Sequence, residues 1–303
     1  MGEPLVSIIC TTYNHEPFIR QCLDGFIMQK TDFSFEVLIH DDASTDNTAN
    51  IIREYETEYP DIIKPIYQTK NQYSKGVKIG ISYLYPRARG KYIAECEGDD
   101  YWTDSFKLQK QVDFLEANPE IVLCTHHFSR YYQSSNKFTE NLSTKIESNK
   151  NFGLKDYVNY IWLTQPLTSL YRRDCLDFQK LSRFPIMKDT IFFYYVLKSG
   201  QGYLMKDMMG VYRIHDSGIW SGVKNYEQAK SNISAIKSIY EEEKSDLAAI
   251  YLYKCMCCHG YLGIRFLVQN LKLLIEVLYI LMKNFGLRIS FKTFLDSVVF
   301  FKK

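Results

Sequence analysis

Short apolar runs alternate with longer amphipathic stretches along the first hundred residues of the chain. The apolar runs predict four buried strands, at about residues 5–11, 35–40, 62–67 and 91–96. Between them, apolar residues at helical spacing predict helices over about residues 16–29, from Ser44 or Thr45 to about Tyr59, and over about 75–86. This alternation is typical of βαβ units that build a mainly parallel sheet.

The pattern becomes less regular after residue 100. A helix over about 104–118 and a strand near 121–125 precede a polar stretch, 131–150, which predicts a long surface loop. Mixed elements follow, including a helix over about 189–198, and the pattern beyond about Lys224 is entirely helical. We therefore expect an α/β domain over residues 1–223 and a C-terminal helical region over residues 224–303.

Composition and charge limit the cellular compartments and the binding partners that fit this chain. The formal net charge of the 303 residues is only +2, so no chain-wide field attracts nucleic acid, and we expect no nucleic-acid partner. The eight cysteines lack the paired spacing of a disulfide framework, and the first residues lack a secretory signal pattern. Both observations predict a cytoplasmic protein.

The last part of the chain is apolar and basic. Residues 261–303 carry seven Lys or Arg against Glu276 and Asp296, but no run reaches the roughly 18 uncharged apolar residues of a spanning helix. Such helices suit peripheral attachment to the inner face of the cell membrane. The alternative is that they pack on the first domain or on a second subunit, which would make a homo-oligomer.

Polar runs follow three of the predicted strands at their carboxyl ends, where ligands bind in open α/β sheets. The third run contains the adjacent carboxylates Asp99 and Asp100, after Gly98, which permits a sharp turn. Carboxylate oxygens suit Mg²⁺ or Mn²⁺, which completes its shell with phosphate oxygens and water and offsets charge on a departing diphosphate. Acidic pairs also occur in solvated turns, and that alternative stays open.

Three segments in order carry a resemblance to a known family: Val6–Asn14, Glu36–Thr48, and Gly90–Ile93 leading into Asp99–Trp102. Together they resemble the family 2 inverting glycosyltransferases of bacterial cell-envelope polysaccharide synthesis. The resemblance implies a GT-A-like fold, with a twisted, mostly parallel sheet flanked by helices and a C-terminal helical appendage. It also implies transfer from a nucleotide diphosphate sugar, with UDP-sugars favoured, to a saccharide or lipid-linked saccharide acceptor.

The resemblance assigns the donor site to the strand ends. The nucleotide base and ribose would lie against Thr11, Thr12 and Tyr13. Asp42, or alternatively Asp41, would accept a hydrogen bond from the ring N–H of a uracil-type base. Asp99 would lie on the ribose side, and Asp100 would bind Mn²⁺ or Mg²⁺. The chain departs from the family at Cys10, where proline is common, and at Ala43, where glycine is usual; a tight backbone approach at Ala43 is thereby in doubt.

Two later segments extend the resemblance. An inverting transfer needs a general base to take the acceptor's proton, and Pro185–Phe193 resembles the acidic motif that supplies it, which nominates Asp189. A helix-capping role for this carboxylate is the alternative. Val211–Ser221 resembles the segment that closes over the donor diphosphate, with Arg213 for phosphate and His215 for phosphate or metal. A polar surface turn is the alternative there.

Two other functions remain to be weighed. A sugar nucleotidyltransferase would carry a glycine-rich loop after its first strand to grip a nucleoside triphosphate, whereas this chain has Thr11–His15 there. A catalytically inactive nucleotide-sugar-binding module would keep the fold without turnover. The joint presence of Asp42, Asp100 and Asp189 favours an active transferase over both.

Overall fold

The computed structural model describes residues 2–141, 148–160, 163–216, 218 and 225–258, together with residues 275, 279 and 282 as single helical positions. The chain divides into two compact units. The first consists of Met1–Leu154, Trp162–Arg183 and Phe193–His215, and the second of Lys155–Ile161, Phe184–Phe192 and Asp216–Lys303. The predicted division at residue 223 stays a prediction.

A ten-stranded sheet forms the centre of the first unit. Its strands are β1 (Val6–Thr12), β2 (Phe35–Asp41), β3 (Ile63–Tyr67), β4 (Tyr92–Glu95), β5 (Tyr101–Trp102), β6 (Ile121–Tyr132), β7 (Lys137–Asn141), β8 (Lys150–Phe152), β9 (Leu170–Arg172) and β10 (Gln201–Ile214). They lie in the order β3-β2-β1-β4-β9-β6-β10-β5, with β7 paired to β6 and β8 to β10.

The sheet is parallel in one half and mixed in the other. Strands β3, β2, β1 and β4 are all parallel, as the βαβ pattern predicts. Beyond β4, the strand β9 runs antiparallel to its two neighbours, β4 and β6. Strands β6 and β10 are parallel to each other. Strand β7 pairs antiparallel with β6, and β5 and β8 pair antiparallel with β10. The curled, mixed sheet flanked by helices is the GT-A-like architecture that the sequence indicates.

Eight α-helices are described. They are α1 (Ile19–Ile27), α2 (Thr48–Glu58), α3 (Lys107–Ala117), α4 (Leu154–Tyr160), α5 (Phe178–Ser182), α6 (Asp189–Ser199), α7 (Asn225–Glu243) and α8 (Asp246–Cys258). Helices α1, α2 and α3 bury apolar residues in one core with β1, β2 and β4. That core fixes the carboxyl ends of the parallel strands, from which the polar loops emerge.

Two predicted elements differ from the structure. No regular helix forms over residues 75–86; instead two 3₁₀ turns, Tyr73–Lys75 and Tyr85–Arg87, flank a π-helical turn, Gly80–Leu84. Glycine and proline in this segment oppose a regular helix. The stretch 131–150 is only partly a loop, because β6 extends to Tyr132 and pairs with β7.

Helices α7 and α8 confirm, for the residues described, the helical pattern predicted after Lys224. The apolar, basic residues 261–303 lie outside the described residues apart from the three helical positions 275, 279 and 282. None of the helices among the described residues combines the length and the apolar sequence that a membrane span requires.

Candidate active site

The last two residues of β1 hold the two acidic loops together. The backbone N–H of Gly98 donates to the carbonyl oxygen of Thr11 at 2.9 Å, and that of Asp42 donates to the carbonyl oxygen of Thr12 at 3.0 Å. Because β1 lies between β2 and β4, and neighbouring strands are about 4.8 Å apart, the two loops start within about 10 Å of each other. Asp42 and the acidic pair Asp99–Asp100 therefore follow strands on either side of β1, at the same edge of the sheet.

The loops after β1 and β2 are joined by side chains. Ser44 Oγ accepts a hydrogen bond from the Asn14 backbone N–H at 2.9 Å, and Asn14 Oδ1 accepts one from the Thr45 backbone N–H at 2.7 Å. Asn14 and Ala43 both adopt the left-handed conformation, with φ of 55° and 62°. Asparagine tolerates this conformation, whereas alanine is strained in it, so the glycine usual at position 43 would fit the observed backbone better.

Asp42 anchors the loop that follows β3. Its two carboxylate oxygens accept the backbone N–H groups of Gln72 at 2.8 Å and Tyr73 at 2.9 Å. Each oxygen can accept a further hydrogen bond, so the carboxylate is still able to receive one from a ligand. Asp41 instead accepts the Ser44 hydroxyl at 2.5 Å, and burial raises its pKa, although the hydrogen bonds from Ser44 oppose that rise.

Side chains of β1 and the following turn complete this edge. Thr12 is buried, and its Oγ1 has no hydrogen-bond partner in the described residues. The ring of Tyr13 is exposed at the start of the turn. A buried hydroxyl and an exposed aromatic ring are the kinds of group that contact a ribose and a base.

Gly98 permits a close approach rather than an unusual backbone conformation. A Cβ at this position would lie 2.8 Å from Thr12 Oγ1 and 2.9 Å from His15 Nδ1, closer than side chains pack. The sharp turn that the sequence predicts is present, because the Asp100 backbone N–H donates to the Glu97 carbonyl oxygen at 3.0 Å, but Gly98 forms it without a positive φ. The glycine before the acidic pair is therefore explained by packing.

Two histidines face Asp99. His215 Nε2 donates to Asp99 Oδ2 at 3.0 Å, and His15 Nε2 lies 3.8 Å from the same oxygen. Burial opposes ionisation of Asp99, but the hydrogen bond from His215 and the charge of His15 outweigh it, and the pKa of Asp99 is lowered. Sequence reasoning found His215 but missed His15, whose place directly after the β1 strand end was the available signal.

Asp100 is the buried member of the acidic pair, only 4% exposed. Its Oδ1 accepts the backbone N–H of Arg213 at 2.8 Å, and within the described residues its Oδ2 accepts no hydrogen bond. Burial, followed by the charge of Asp99, raises the pKa of Asp100 well above its ordinary value. A positive charge bound next to Asp99 and Asp100 would therefore stabilise the ionised form of Asp100.

A divalent cation fits this donor set. Across the residues with described positions, no group of three or more His, Cys, Asp or Glu side chains surrounds a metal position. Mg²⁺ and Mn²⁺ need fewer protein ligands when substrate phosphates and water complete the shell. Asp100, with one unengaged oxygen beside Asp99 and His215, suits that mode of binding.

Arg213 is 7% exposed and lies directly against the acidic turn. Its Nε donates to the carbonyl oxygen of Asp99 at 2.8 Å, Nη1 to Gln133 Oε1 at 3.2 Å and Nη2 to Gln21 Oε1 at 2.7 Å. The predicted phosphate ligand is therefore already hydrogen-bonded through three of its five N–H groups.

Asp189 begins α6 and belongs to the second unit. Its side chain is accessible to solvent, yet the protein packed around it raises its pKa, against the opposing charge of Lys188. Lys188 Nζ donates to Asn232 Oδ1 at 2.8 Å, and burial lowers the pKa of Lys188 to about 8. An accessible carboxylate with a raised pKa is suited to accept a proton near neutral pH.

The mixed sheet with acidic loops at its strand ends is the GT-A architecture of glycosyltransferases. The model of glycosyl transferase family 2 matches residues 7–176, and the chain belongs to this family. Among solved structures, residues 1–349 of TarS from Staphylococcus aureus, in complex with UDP-GlcNAc, superpose with a TM-score of 0.67 at 18% identity. The match covers 91% of this chain and 80% of that one.

Curated relatives match over shorter spans. An uncharacterized protein of Mycobacterium tuberculosis is 37% identical over 71% of this chain, which spans 60% of that relative's length. The Escherichia coli enzyme WfaP, a UDP-Glc:alpha-D-GlcNAc-diphosphoundecaprenol beta-1,3-glucosyltransferase, is 33% identical over 42% of this chain and 46% of its own length.

Proposed function

We propose that the protein transfers a sugar from a UDP-sugar, with inversion at the anomeric carbon, to a saccharide or lipid-linked saccharide of a cell-envelope polysaccharide. The observation that carries the proposal is the attachment of the two acidic loops to adjacent residues at the end of β1, one to Thr11 and the other to Thr12. With the loops arranged in this way, Asp42 would bind the base and Asp100 would bind the metal, on either side of the end of β1.

The donor would bind along the ends of β2, β1 and β4. Asp42 would receive the ring N–H of uracil, with Asp41 as the alternative, and Thr11, Thr12 and Tyr13 would contact base and ribose. Asp99 would lie on the ribose side. The UDP-GlcNAc bound to TarS and the UDP-Glc named for WfaP support a uridine donor.

Mg²⁺ or Mn²⁺, when bound, would offset the negative charge that grows on the UDP leaving group. Asp100 would hold the ion, with His215 as a further ligand or a phosphate contact. Divalent metals are general in this family, and the Asp100 oxygen that accepts no hydrogen bond from the described residues supports their use here. The resemblance also assigns Arg213 to phosphate, but its guanidinium already donates to three protein acceptors.

Asp189 would act as the general base. The acceptor hydroxyl attacks the anomeric carbon from the face opposite UDP, and its proton passes to the Asp189 carboxylate as the new C–O bond forms. The bond between the anomeric carbon and the phosphate oxygen breaks, and its electron pair leaves with UDP. The raised pKa of Asp189 supports this role, because it improves proton acceptance near neutral pH.

A lipid-linked acceptor would place the reaction in the cytoplasm, at the inner face of the membrane. The diphosphoundecaprenol acceptor in the name of WfaP supports this. Two roles remain proposed for the C-terminal residues 261–303. They would attach the protein to the membrane surface, or they would contact a second subunit. A sugar nucleotidyltransferase or an inactive binding module would lack the combined metal-dependent UDP binding and sugar transfer.

Thermal unfolding with nucleotides tests the donor and the metal together. A ligand that binds only the native state stabilises it by about 2.7 kcal/mol at one hundred times its Kd. We expect UDP with Mn²⁺ to raise the Tm more than GDP, ADP or CDP with Mn²⁺. Asp100→Asn should remove the metal-dependent part of the shift, whereas Asp113→Asn, an exposed change on α3, should not. Equal shifts in the wild type and Asp100→Asn would contradict the proposed metal site.

A further inference from the structure

The guanidinium of Arg213 is enclosed by three aromatic rings. Its Cζ lies 4.9 Å from the ring centroid of Phe18, 5.2 Å from that of Tyr101 and 5.6 Å from that of Tyr131. Cation–π contacts of this kind gain strength when the cation is removed from water. The side chain is therefore fixed in place by packing as well as by its hydrogen bonds.

Arg213 contacts the acidic turn in two ways. Its side chain holds the turn's backbone through the Asp99 carbonyl oxygen, at 2.8 Å, and its own backbone N–H holds the Asp100 carboxylate, also at 2.8 Å. Both contacts lie on one rigid strand, because β10 pairs with β5 immediately after the turn, with Val211 opposite Tyr101. A movement of Arg213 would therefore displace the backbone and the carboxylate together.

We propose that Arg213 is a positioning residue, which acts on the donor by holding Asp99 and Asp100 in place and not by pairing with the diphosphate itself. The effect of Arg213 on donor binding rests on the proposed function. It also assigns a supporting role to Gln21 and Gln133, whose side-chain oxygens hold the outer nitrogens of the guanidinium.

Three of the five guanidinium N–H groups are engaged in these contacts, so a phosphate could meet only the two that remain on Nη1 and Nη2 unless a contact broke. Breaking the contact to the Asp99 carbonyl oxygen would release the backbone of the acidic turn. The planar fork of arginine suits the observed geometry, since it reaches three acceptors from one fixed side chain. Lysine at this position would keep the charge but lose the fork.

Calorimetric titration with UDP, with and without Mn²⁺, separates the two roles. If Arg213 positions the turn, Arg213→Lys should leave metal-free UDP affinity within about twofold and reduce the gain from Mn²⁺ about tenfold, as changes to residues that orient metal ligands do. If it pairs with phosphate, metal-free affinity should fall instead, and that result would overturn the proposal.

Gln21→Ala is a second variant with little risk of misfolding, because Gln21 is exposed on α1. It should reduce the Mn²⁺-dependent gain in the same direction as Arg213→Lys, by a smaller factor. Arg172→Lys is the matched control. Arg172 also donates to backbone carbonyl oxygens and lies 5.5 Å from the ring centroid of Tyr92, but it contacts Ile121 and Leu115 and not the acidic turn.

Hydrogen exchange in the ligand-free protein tests positioning without any nucleotide. Arg213→Lys should speed exchange of the Gly98 and Asp100 amides, whose acceptors are the Thr11 and Glu97 carbonyl oxygens, and Arg172→Lys should not. Unchanged exchange at these amides would overturn the inference. Failure of the wild type to bind any nucleotide would contradict the proposed function, and the exchange comparison would still decide the role of Arg213.

Discussion

Gly98 controls how closely the acidic turn approaches β1. An added methyl group would meet Thr12 Oγ1 at 2.8 Å and His15 Nδ1 at 2.9 Å, and neither atom belongs to a long, flexible side chain. We expect Gly98→Ala to displace the turn, at a cost of about 1–3 kcal/mol in unfolding free energy, and to weaken Mn²⁺-dependent UDP binding. Urea unfolding and calorimetry measure the two effects.

The control for Gly98 is Gly2→Ala, because a Cβ at Gly2 meets nothing within 4 Å. Its stability and UDP affinity should match those of the wild type. If Gly98→Ala bound UDP with Mn²⁺ as tightly as Gly2→Ala, close packing of the turn would not matter for the donor.

Ala43 gives a prediction of the opposite sign. Its φ of 62° costs an L-residue roughly 1–2 kcal/mol, while glycine costs about 0.5–1 kcal/mol of unfolded-state entropy. Ala43→Gly should therefore leave stability unchanged or raise it by up to about 1 kcal/mol. Ala49→Gly, at a helical position in α2, should lower it. Urea midpoints of the two variants compare their stabilities directly. An equal loss of stability in both variants would contradict backbone strain at Ala43.

The spacing of residues along the sequence predicts which residues belong to the site better than it predicts what each of them does there. The motifs nominate Asp42, Asp99 and Asp100, because carboxylates at strand ends have a chemical signature. Gln72 and Tyr73 hold Asp42 through backbone N–H groups, which no side-chain pattern reveals. Arg213 is found by its residue type, but its hydrogen bonds to the turn depend on the pairing of β10 with β5.

At the scale of elements, the apolar periodicity predicts the parallel half of the sheet and its helices to within a few residues. It fails over residues 75–86, where the chain forms short 3₁₀ and π turns. It also misses the β6–β7 hairpin, whose polar residues alternate with Tyr131 and Phe138, rings that lie 4.6 Å apart. Local spacing cannot supply such pairings, because a partner strand stabilises them.

The amino ends of β1 and β2 are joined by a buried carboxylate. Glu36 accepts hydrogen bonds from the Ser7 hydroxyl at 2.7 Å and from Arg89 Nη2 at 2.6 Å. Glu36→Ala would leave these donors without their acceptor, so we expect a loss of about 2–4 kcal/mol in unfolding free energy. Urea denaturation measures it.

The matched control is the pair of Arg20 and Glu54, whose side chains are 52% and 56% exposed. Glu54→Ala should cost at most about 1 kcal/mol, because solvent screens an exposed ion pair. A comparable loss in both variants would show that burial of Glu36 contributes nothing.

At the scale of the whole molecule, stability should depend on pH through Lys107. This lysine is fully buried, with Nζ 2.8 Å from Gln111 Oε1, and burial lowers its pKa from 10.5 to about 7. Between those values the unfolded chain binds a proton that the folded chain does not. Unfolding free energy should therefore rise with pH in this window, by up to about 1.4 kcal/mol per pH unit.

Lys107→Met removes the titration and keeps most of the volume. The unfolding free energy of the wild type minus that of Lys107→Met should increase from pH 7 to pH 9. Urea denaturation at each pH would measure it. Lys110→Met, which removes a partly exposed cation paired with Asp104 and Asp207, is the control. A difference for Lys107→Met that stays flat with pH would contradict a neutral buried lysine.

The proposed mechanism assigns donor binding to the acidic strand ends and proton transfer to a separate carboxylate, Asp189. Release of UDP from UDP-glucose and UDP-GlcNAc, with and without Mn²⁺, tests it most directly in the wild type and Asp189→Asn. We predict Mn²⁺-dependent release by the wild type. Asp189→Asn should bind UDP normally but release it more slowly by a factor of about 100 or more, the scale of general base catalysis. Wild-type rates of UDP release in Asp189→Asn would contradict the assignment of Asp189 as the general base.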